Sequence, residues 1–262
     1  MINKFEGTYY KFVSTNDFSF ALIESFSMDG PAMQLITKDG SFGIEFVTSV
    51  TIDDDTVNFN IHQNTLTVMG RITMSDYHPL KHKVMGPFSL LPMECYHEIH
   101  SMYHRLSGEL FYNGKFYSFD NGYGYIEGDC GVNFPKKYIW YNSVGPDYGV
   151  TAAIASIPLG PLRFTGILGF VSFEGKEYVL CTYNGAKASH ISSEYIEIAR
   201  GPYHLSISVK EKGGHMLKAP HHGKMSRLIK ENVAVETEFT FSKNNMILLT
   251  KKDDKSSLEY MY

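Results

Sequence analysis

TVNFNIHQNTLTVMGRITMS, residues 56–75, reads as two β-strands joined by a polar break. Val57, Phe59 and Ile61 alternate with Asn58, Asn60 and His62, and Leu66, Val68, Ile72 and Met74 keep the same period beyond the break. Side chains two apart share one face of an extended chain, so the pattern predicts neighbouring antiparallel strands. Downstream, GELFYNGKFYSF (residues 108–119) places Asn113-Gly114 between two apolar runs. A two-residue type I′ turn needs positive φ at both central positions, which Asn-Gly supplies, so a hairpin is expected here. GFVSFEGKEY (residues 169–178) repeats the spacing of Gly108 and Gly114 at Gly169 and Gly175, a hint of internal duplication. Further on, Leu205, Ile207 and Val209 alternate with serines, and Val233, Val235, Phe239 and Phe241 alternate with Glu236 and Glu238. The nearest approach to a helical pattern, Met225 to Lys230, reads better as strand or turn.

Many short strands without helices between them leave sandwiches and barrels as the architectures. A chain of 262 residues is long enough for two β-domains of ordinary size. The expectation is an all-β protein of two packed antiparallel barrels, divided as 1–121 and 122–262, with the boundary lying somewhere in 120–145.

Composition supports this class. Phe and Tyr contribute 18 residues each against a single Trp, and 23 glycines and 10 prolines are dispersed along the chain. A formal charge of -4 without a basic tract lacks the electrostatic footprint of a nucleic-acid binder. The opening MINKFEG has no apolar core after its lysine, so no secretory signal is read and a cytoplasmic location is expected. The longest uncharged stretch, between Asp147 and Arg163, is shorter than a bilayer span and holds Pro158 and Pro161. Cys95, Cys130 and Cys181 are widely spaced and odd in number, which predicts reduced, mostly buried thiols.

Two longer blocks carry a family resemblance. GPFSLLPMECYH (residues 86–97), with Ser101, Met102, His104 and Gly108, and GYGYIEGDCGVNFPKKYIW (residues 122–140) resemble the two central signatures of tocopherol-cyclase-like proteins. EGTYYK (residues 6–11), Ser156 to Pro158 with Phe164 to Gly166, Ala219-Pro220 with Gly223 to Met225, and Leu258-Glu259 extend the resemblance collinearly. The resemblance implies a pair of lipocalin-like barrels and cyclisation of a prenylated hydroquinone to a chromanol without a cofactor or metal. Related double-barrel proteins include carotenoid hydratases and pericyclic cyclases, so the apolar ligand stays open. The chain departs from the pattern at Thr8 and Cys130, each in place of a Trp, at Gly128 in place of a Lys and at Asn133 in place of a Ser.

Such ring closure needs a proton for an alkene and a surface that tolerates a tertiary cation. Glu127 and Asp129 lie two apart, so both point to one face of a strand, and an apolar surround can keep one protonated. The alternative is that they pair with Lys136 and Lys137 at the surface. Tyr10, Tyr125, Phe134 and Trp140 are candidate rings against the ligand, or plain barrel filling. His97 is a candidate general acid, and Glu94, three residues earlier, a binding residue facing the other way. Glu94, His100 and His104 share a strand face and form a zinc set in principle, though the implied chemistry needs none. His221-His222 reads as an exposed loop, and Gly122-x-Gly124 lacks the helix a phosphate loop requires. Three uses follow from these features. They are an acid-catalysed cyclase or isomerase, a non-catalytic carrier of a lipophilic molecule, and a barrel pair that only contacts proteins; the expected partner is a lipophilic small molecule, with peripheral membrane contact open.

Overall fold

The structure is a computed structural model and describes residues 4–44, 49–63, 65–159, 162–210 and 213–262. The first three residues, part of the leader reading, and Pro161 lie outside that set. The first ten strands are β1 (Phe5–Val13), β2 (Ser19–Ser27), β3 (Gly30–Thr37), β4 (Gly40–Ile44), β5 (Val50–Asp53), β6 (Thr56–Gln63), β7 (Leu66–Ser75), β8 (Cys95–Tyr112), β9 (Lys115–Ser118) and β10 (Gly122–Gly131). They form one antiparallel sheet in the order β4-β3-β2-β1-β10-β8-β7-β6-β5, with β9 folded back on β8. The remaining strands are β11 (Tyr138–Val144), β12 (Tyr148–Leu159), β13 (Leu162–Phe173), β14 (Lys176–Val179), β15 (Lys187–Ile191), β16 (Tyr195–Arg200), β17 (Tyr203–Val209), β18 (His215–His221), β19 (Lys224–Lys243) and β20 (Met246–Met261). Their order is β14-β13-β12-β11-β20-β19-β17-β16-β15, with β18 on β19. No α-helix occurs among the described residues, and none of their segments is a helix long and apolar enough to cross a membrane.

The protein is therefore two barrel-like antiparallel sheets packed together. The strands at the two ends of each path, β4 and β5 or β14 and β15, are consecutive in the chain, the order of a sheet coiled round on itself. Shifted by ten, the two orders coincide except around the long strands β8 and β19. The repeat is thus in the topology, not in the pair of glycine hairpins. Asn113-Gly114 joins β8 to β9, whereas Glu174-Gly175 joins β13 to β14, whose counterpart is the β3–β4 turn. Residues 122–131, assigned by sequence to the C-terminal half, pair with β1 and β8, so the change of sheet falls between Gly131 and Tyr138.

Residues 56–75 form β6 and β7 as expected, with Val57 opposite Ile72 and Ile61 opposite Val68. Asn113 and Gly114 have φ of 44° and 84°, matching the I′ requirement. The segment around Met225–Lys230 is the start of β19. β7 and β8 approach closely beside this hairpin. A β-carbon on Gly108, whose φ is +118°, would lie 2.2 Å from the Arg71 carbonyl oxygen. Gly108→Ala is expected to lower unfolding free energy by about 3 kcal/mol, since steric overlap adds to backbone strain. A urea titration checks it.

Three apolar clusters fill the molecule. One lies inside the first sheet around Phe12, Phe20, Phe59 and Ile72. Another lies inside the second around Tyr141, Ile198, Phe239 and Phe241. The third joins the sheets, bringing Tyr9, Val13, Ile99 and Tyr125 against Trp140, Phe170, Leu217 and Ile229. Strand β1 shows how: Tyr10 and Phe12 face the first sheet's interior while Tyr9, Lys11 and Val13 face the second sheet. Lys11 is 0% exposed on this seam and reaches Asn142 Oδ1 at 3.2 Å. Buried side chains fill both barrel interiors, and a cavity lies between the barrels.

Candidate functional site

That space is a cavity of about 170 Å³ lined by both sheets. Tyr9, Trp140, Phe134 and Tyr138 give it aromatic walls, with Ile23, Leu168, Leu217 and Ile229 among its aliphatic ones. Four carboxyl groups also line it, those of Glu127, Asp129, Glu231 and Glu259, together with His97.

Strand register brings the acids together. On β10, Tyr125, Glu127 and Asp129 share one face, Asp129 lies opposite His97 of β8, and Glu127 lies opposite Tyr9 of β1. The pairing of β10 with β8 shifts between Gly124 and Glu127, a bulge of the kind that re-aims side chains. Glu127 is 5% exposed, and its Oε2 accepts from Tyr125 Oη at 2.5 Å and from Trp140 Nε1 at 2.9 Å. His97 Nε2 lies 3.5 Å from the same oxygen. The other imidazole nitrogen, Nδ1, is 3.1 Å from Asp129 Oδ1, to which the Cys95 thiol also donates at 3.4 Å. Because Trp140 comes from β11 and Tyr125 from β10, both sheets hold the acid.

Burial pushes Glu127 up to about 7, with the neighbouring Asp129 charge adding to the rise and the His97 imidazolium opposing it. Burial alone would pull His97 down, but the Glu127 and Asp129 carboxylates overcome it and hold the imidazole at about 9. At neutral pH the histidine is therefore a cation beside a carboxyl group poised between its two forms. His97→Gln removes that cation, so Glu127 is expected to keep its proton to higher pH. The single tryptophan donates to this carboxyl and reports it: a Trp140 emission titration should move alkaline by about one pH unit in the variant.

A second acid pair faces the cavity from β19 and β20, where Glu231 and Glu259 are directly opposite. Glu231 is 1% exposed; its Oε1 accepts from Tyr9 at 2.6 Å while its Oε2 has no hydrogen-bond partner among the described residues. Glu259 accepts from Tyr138. Burial raises both to about 8, helped for Glu231 by the Glu259 charge and for Glu259 by Glu127 and Asp129.

Among the residues singled out by sequence, Glu127, Asp129, His97, Phe134 and Trp140 line the cavity. Tyr125 lies beneath it and holds Glu127. Tyr10 does not line it: the alternation of β1 turns Tyr10 into the first sheet and presents Tyr9. Glu94 does not line the cavity either; it sits at the rim, bound by the Asn133 side chain at 3.4 Å. The alternative of a surface pairing of Glu127 and Asp129 with Lys136 and Lys137 does not occur; both acids turn to His97. Of the departures from the family pattern only Thr8 lines the cavity. Gly128 faces away, against His100. The Glu94, His100 and His104 set is not assembled, since His104 is buried beside Tyr77 with both nitrogens unpaired among the described residues. The group whose donor atoms do converge, within 4.8 Å, is His97, Glu127 and Asp129. It places the two acids on opposite nitrogens of one imidazole, Asp129 hydrogen-bonded to Nδ1 and Glu127 in ion-pair contact with Nε2, a geometry that suits an imidazolium between two carboxyl groups better than a shared ion. Tyr9, Glu231 and Tyr138 were missed, although Glu231 continues the inward series of Val233 and Val235 and so marked an acid on a buried face.

No family model matches the chain, and no curated protein matches it. Solved structures do. CghA, alone and with Sch210972, is similar with a TM-score of 0.61 and 10% identity, over 98% of this chain and 88% of that one. A protein from Nitrosomonas europaea designated AttH (NE1406) is similar with a TM-score of 0.58 and 11% identity, over 99% of this chain and 93% of that one. The chain thus shares the fold of these two-barrel proteins over essentially its whole length, and at this identity the likeness is one of fold.

Proposed function

We propose that the protein is a cofactor-independent enzyme that cyclises or isomerises a prenylated quinol or similar isoprenoid molecule by protonating it from Glu127. The observation that carries this reading is a buried carboxyl group in the wall of an aromatic cavity, held from both sheets through one oxygen. With Oε2 engaged by Tyr125 and Trp140, Oε1 is the oxygen on which a proton can face the ligand. A pKa held up near 7 suits a general acid, which works best when its pKa lies close to the working pH.

In the cyclisation the Glu127 proton passes to the trisubstituted alkene and the charge develops on the tertiary carbon beside the Trp140 and Phe134 faces. The phenolic oxygen bonds to that carbon, its proton returns to the Glu127 carboxylate, and the product is an isomer of the substrate. Glu231 Oε2, without a hydrogen-bond partner among the described residues, is a buried carboxyl oxygen that can bond to a quinol hydroxyl, as donor while the group keeps its proton. His97, braced by Asp129, sets the charge against which Glu127 releases and regains its proton.

The carrier reading is favoured by a different feature: Tyr125, Trp140 and His97 satisfy Glu127 without any ligand. Incubation with a short-tailed prenylated hydroquinone separates the two. The enzyme yields a chromanol of unchanged mass, whereas recovery of the bound quinol intact would overturn catalysis in favour of transport.

A further inference from the structure

We propose that the rim of the cavity formed by residues 86–94, 132–137 and 221–225 docks on an anionic lipid bilayer. The rim is one connected structure. Val132 and Asn133 donate their backbone N–H groups to the Glu94 carbonyl, and Asn133 Oδ1 accepts from the backbone of His222 at 2.5 Å. It is also where the cavity meets the outside, because Phe88, Phe134, Pro135 and Met225 line the cavity and are only half-buried.

Two features of this surface point to the same partner. Leu90 is 88% exposed and Leu91 38% exposed, on a short 3-10 turn and its cap whose neighbours Phe88 and Met93 line the cavity. A leucine displayed this fully on a loop, next to an apolar chamber, is placed to enter the acyl boundary. Lysines outnumber acids on this surface, where Glu94 is bound by Asn133 and Asp29 accepts from the Met225 N–H. Lys136, Lys137 and Lys224 are exposed on the rim, and on the outer face of the β18–β19 hairpin Lys218 pairs with exposed Leu228 and exposed Met216 with Lys230. From residue 215 to 230 the sequence has no acid at all, in a chain whose net charge is -4. Among the described residues the lysine ion pairs lie elsewhere, at Lys210 with Glu236 and at Lys255 with Asp17 and Asp254. The rim lysines therefore present their charge outward. Strand alternation gives the hairpin two faces, Leu217, Ile229 and Glu231 turned to the cavity and the lysines to the exterior, so one wall separates chamber from bilayer. Cationic side chains around exposed leucines complement an anionic leaflet with an apolar interior. The inference stands on surface chemistry and holds whether the cavity transforms its ligand or only carries it.

Co-sedimentation with vesicles tests it. The full chain should bind vesicles of phosphatidylcholine mixed with phosphatidylglycerol, bind phosphatidylcholine alone far less, and release as salt is raised. Lys136→Glu with Lys137→Glu should weaken binding by about 20-fold or more, on the order of one charge contact each with reversal added. Leu90→Ser with Leu91→Ser should weaken it by about 5-fold or more while leaving the melting temperature unchanged, because neither side chain is part of a buried cluster. Absence of binding to the anionic vesicles, equal binding to both lipids, or variants that bind like the parent would overturn the proposal. So would a rim-dependent dimer that ignores vesicles.

Discussion

Replacing Glu127 by Gln is expected to reduce turnover of a prenylated hydroquinone by about 10²- to 10⁴-fold while leaving its affinity nearly unchanged. The split follows from geometry. Tyr125 and Trp140 both donate to Oε2, and a glutamine carbonyl can accept the same two bonds, so the aromatic wall stays in place. What disappears is an acidic proton, since an amide does not donate one to an alkene. Affinity rests on the rings and aliphatic side chains of the cavity, which the substitution does not touch. Single-turnover measurements with a direct binding titration separate the two quantities. Equal loss of binding and turnover would instead mark Glu127 as a structural strut. Asp129→Asn makes the useful contrast, because Asp129 hydrogen-bonds to His97 and acts on Glu127 by its charge, with no hydrogen bond to it.

The second large effect is on stability, and its sign is opposite to ordinary acid denaturation. Glu127 is held up at about 7, and Glu231 and Glu259 at about 8, against an unfolded value near 4.5. Each binds its proton more tightly in the fold, so each contributes stability that is complete below about pH 4.5 and lost as pH rises through 7 to 8. His97, raised to about 9, adds stability present below about pH 6.5 and lost as pH rises through 9. His104 works at the other end. Burial lowers it to about 3, so its stability is present above about pH 6.5 and is lost as pH falls through 3. Lys11, which burial lowers to about 8, partly offsets the alkaline loss between 8 and its unfolded value near 10.5. The net expectation is a maximum near pH 4 to 5 and a loss on the order of 3 kcal/mol or more toward pH 9, equivalent to a drop of roughly 8 °C or more in Tm. Glu231→Gln should flatten the alkaline limb. A melting temperature that rises steadily from pH 5 to pH 9 would contradict the buried, protonated state of these acids.

How far the sequence carries the reading differs from one feature to the next, for physical reasons. β6 and β7 were legible because one face of each meets the barrel interior while the other keeps polar residues, so the two-residue period is clean. The hairpin at Asn113-Gly114 was legible because its backbone demands those residue types. Glu127 and Asp129 on one face followed from the same period. Strand β1 was the opposite case. Its residues are buried by their own barrel on one side and by the second sheet on the other, which erases the polar phase and makes Tyr9 and Tyr10 look interchangeable. Glu94 was misplaced because β8 begins only at Cys95, and the residue before it belongs to the rim. The Glu231 and Glu259 pair depends on β19 meeting β20, on β11 pairing with β20 in the same sheet, and on Tyr9 of β1 reaching β19 and β20 across the seam. No spacing along the chain encodes that. The location of the cavity between the barrels has the same origin, since it arises from the packing of two separately coiled sheets.

Glu127 carries a proton inside an apolar chamber near neutral pH in this reading of the site. The direct measurement is the infrared carboxylic-acid C=O band, recorded as the difference between the parent protein and Glu127→Gln across the neutral range. A protonated-carboxyl band assignable to Glu127 is expected, titrating near pH 7 and shifting when a quinol binds. A difference spectrum that shows only ionised carboxylate down to about pH 5 would contradict it.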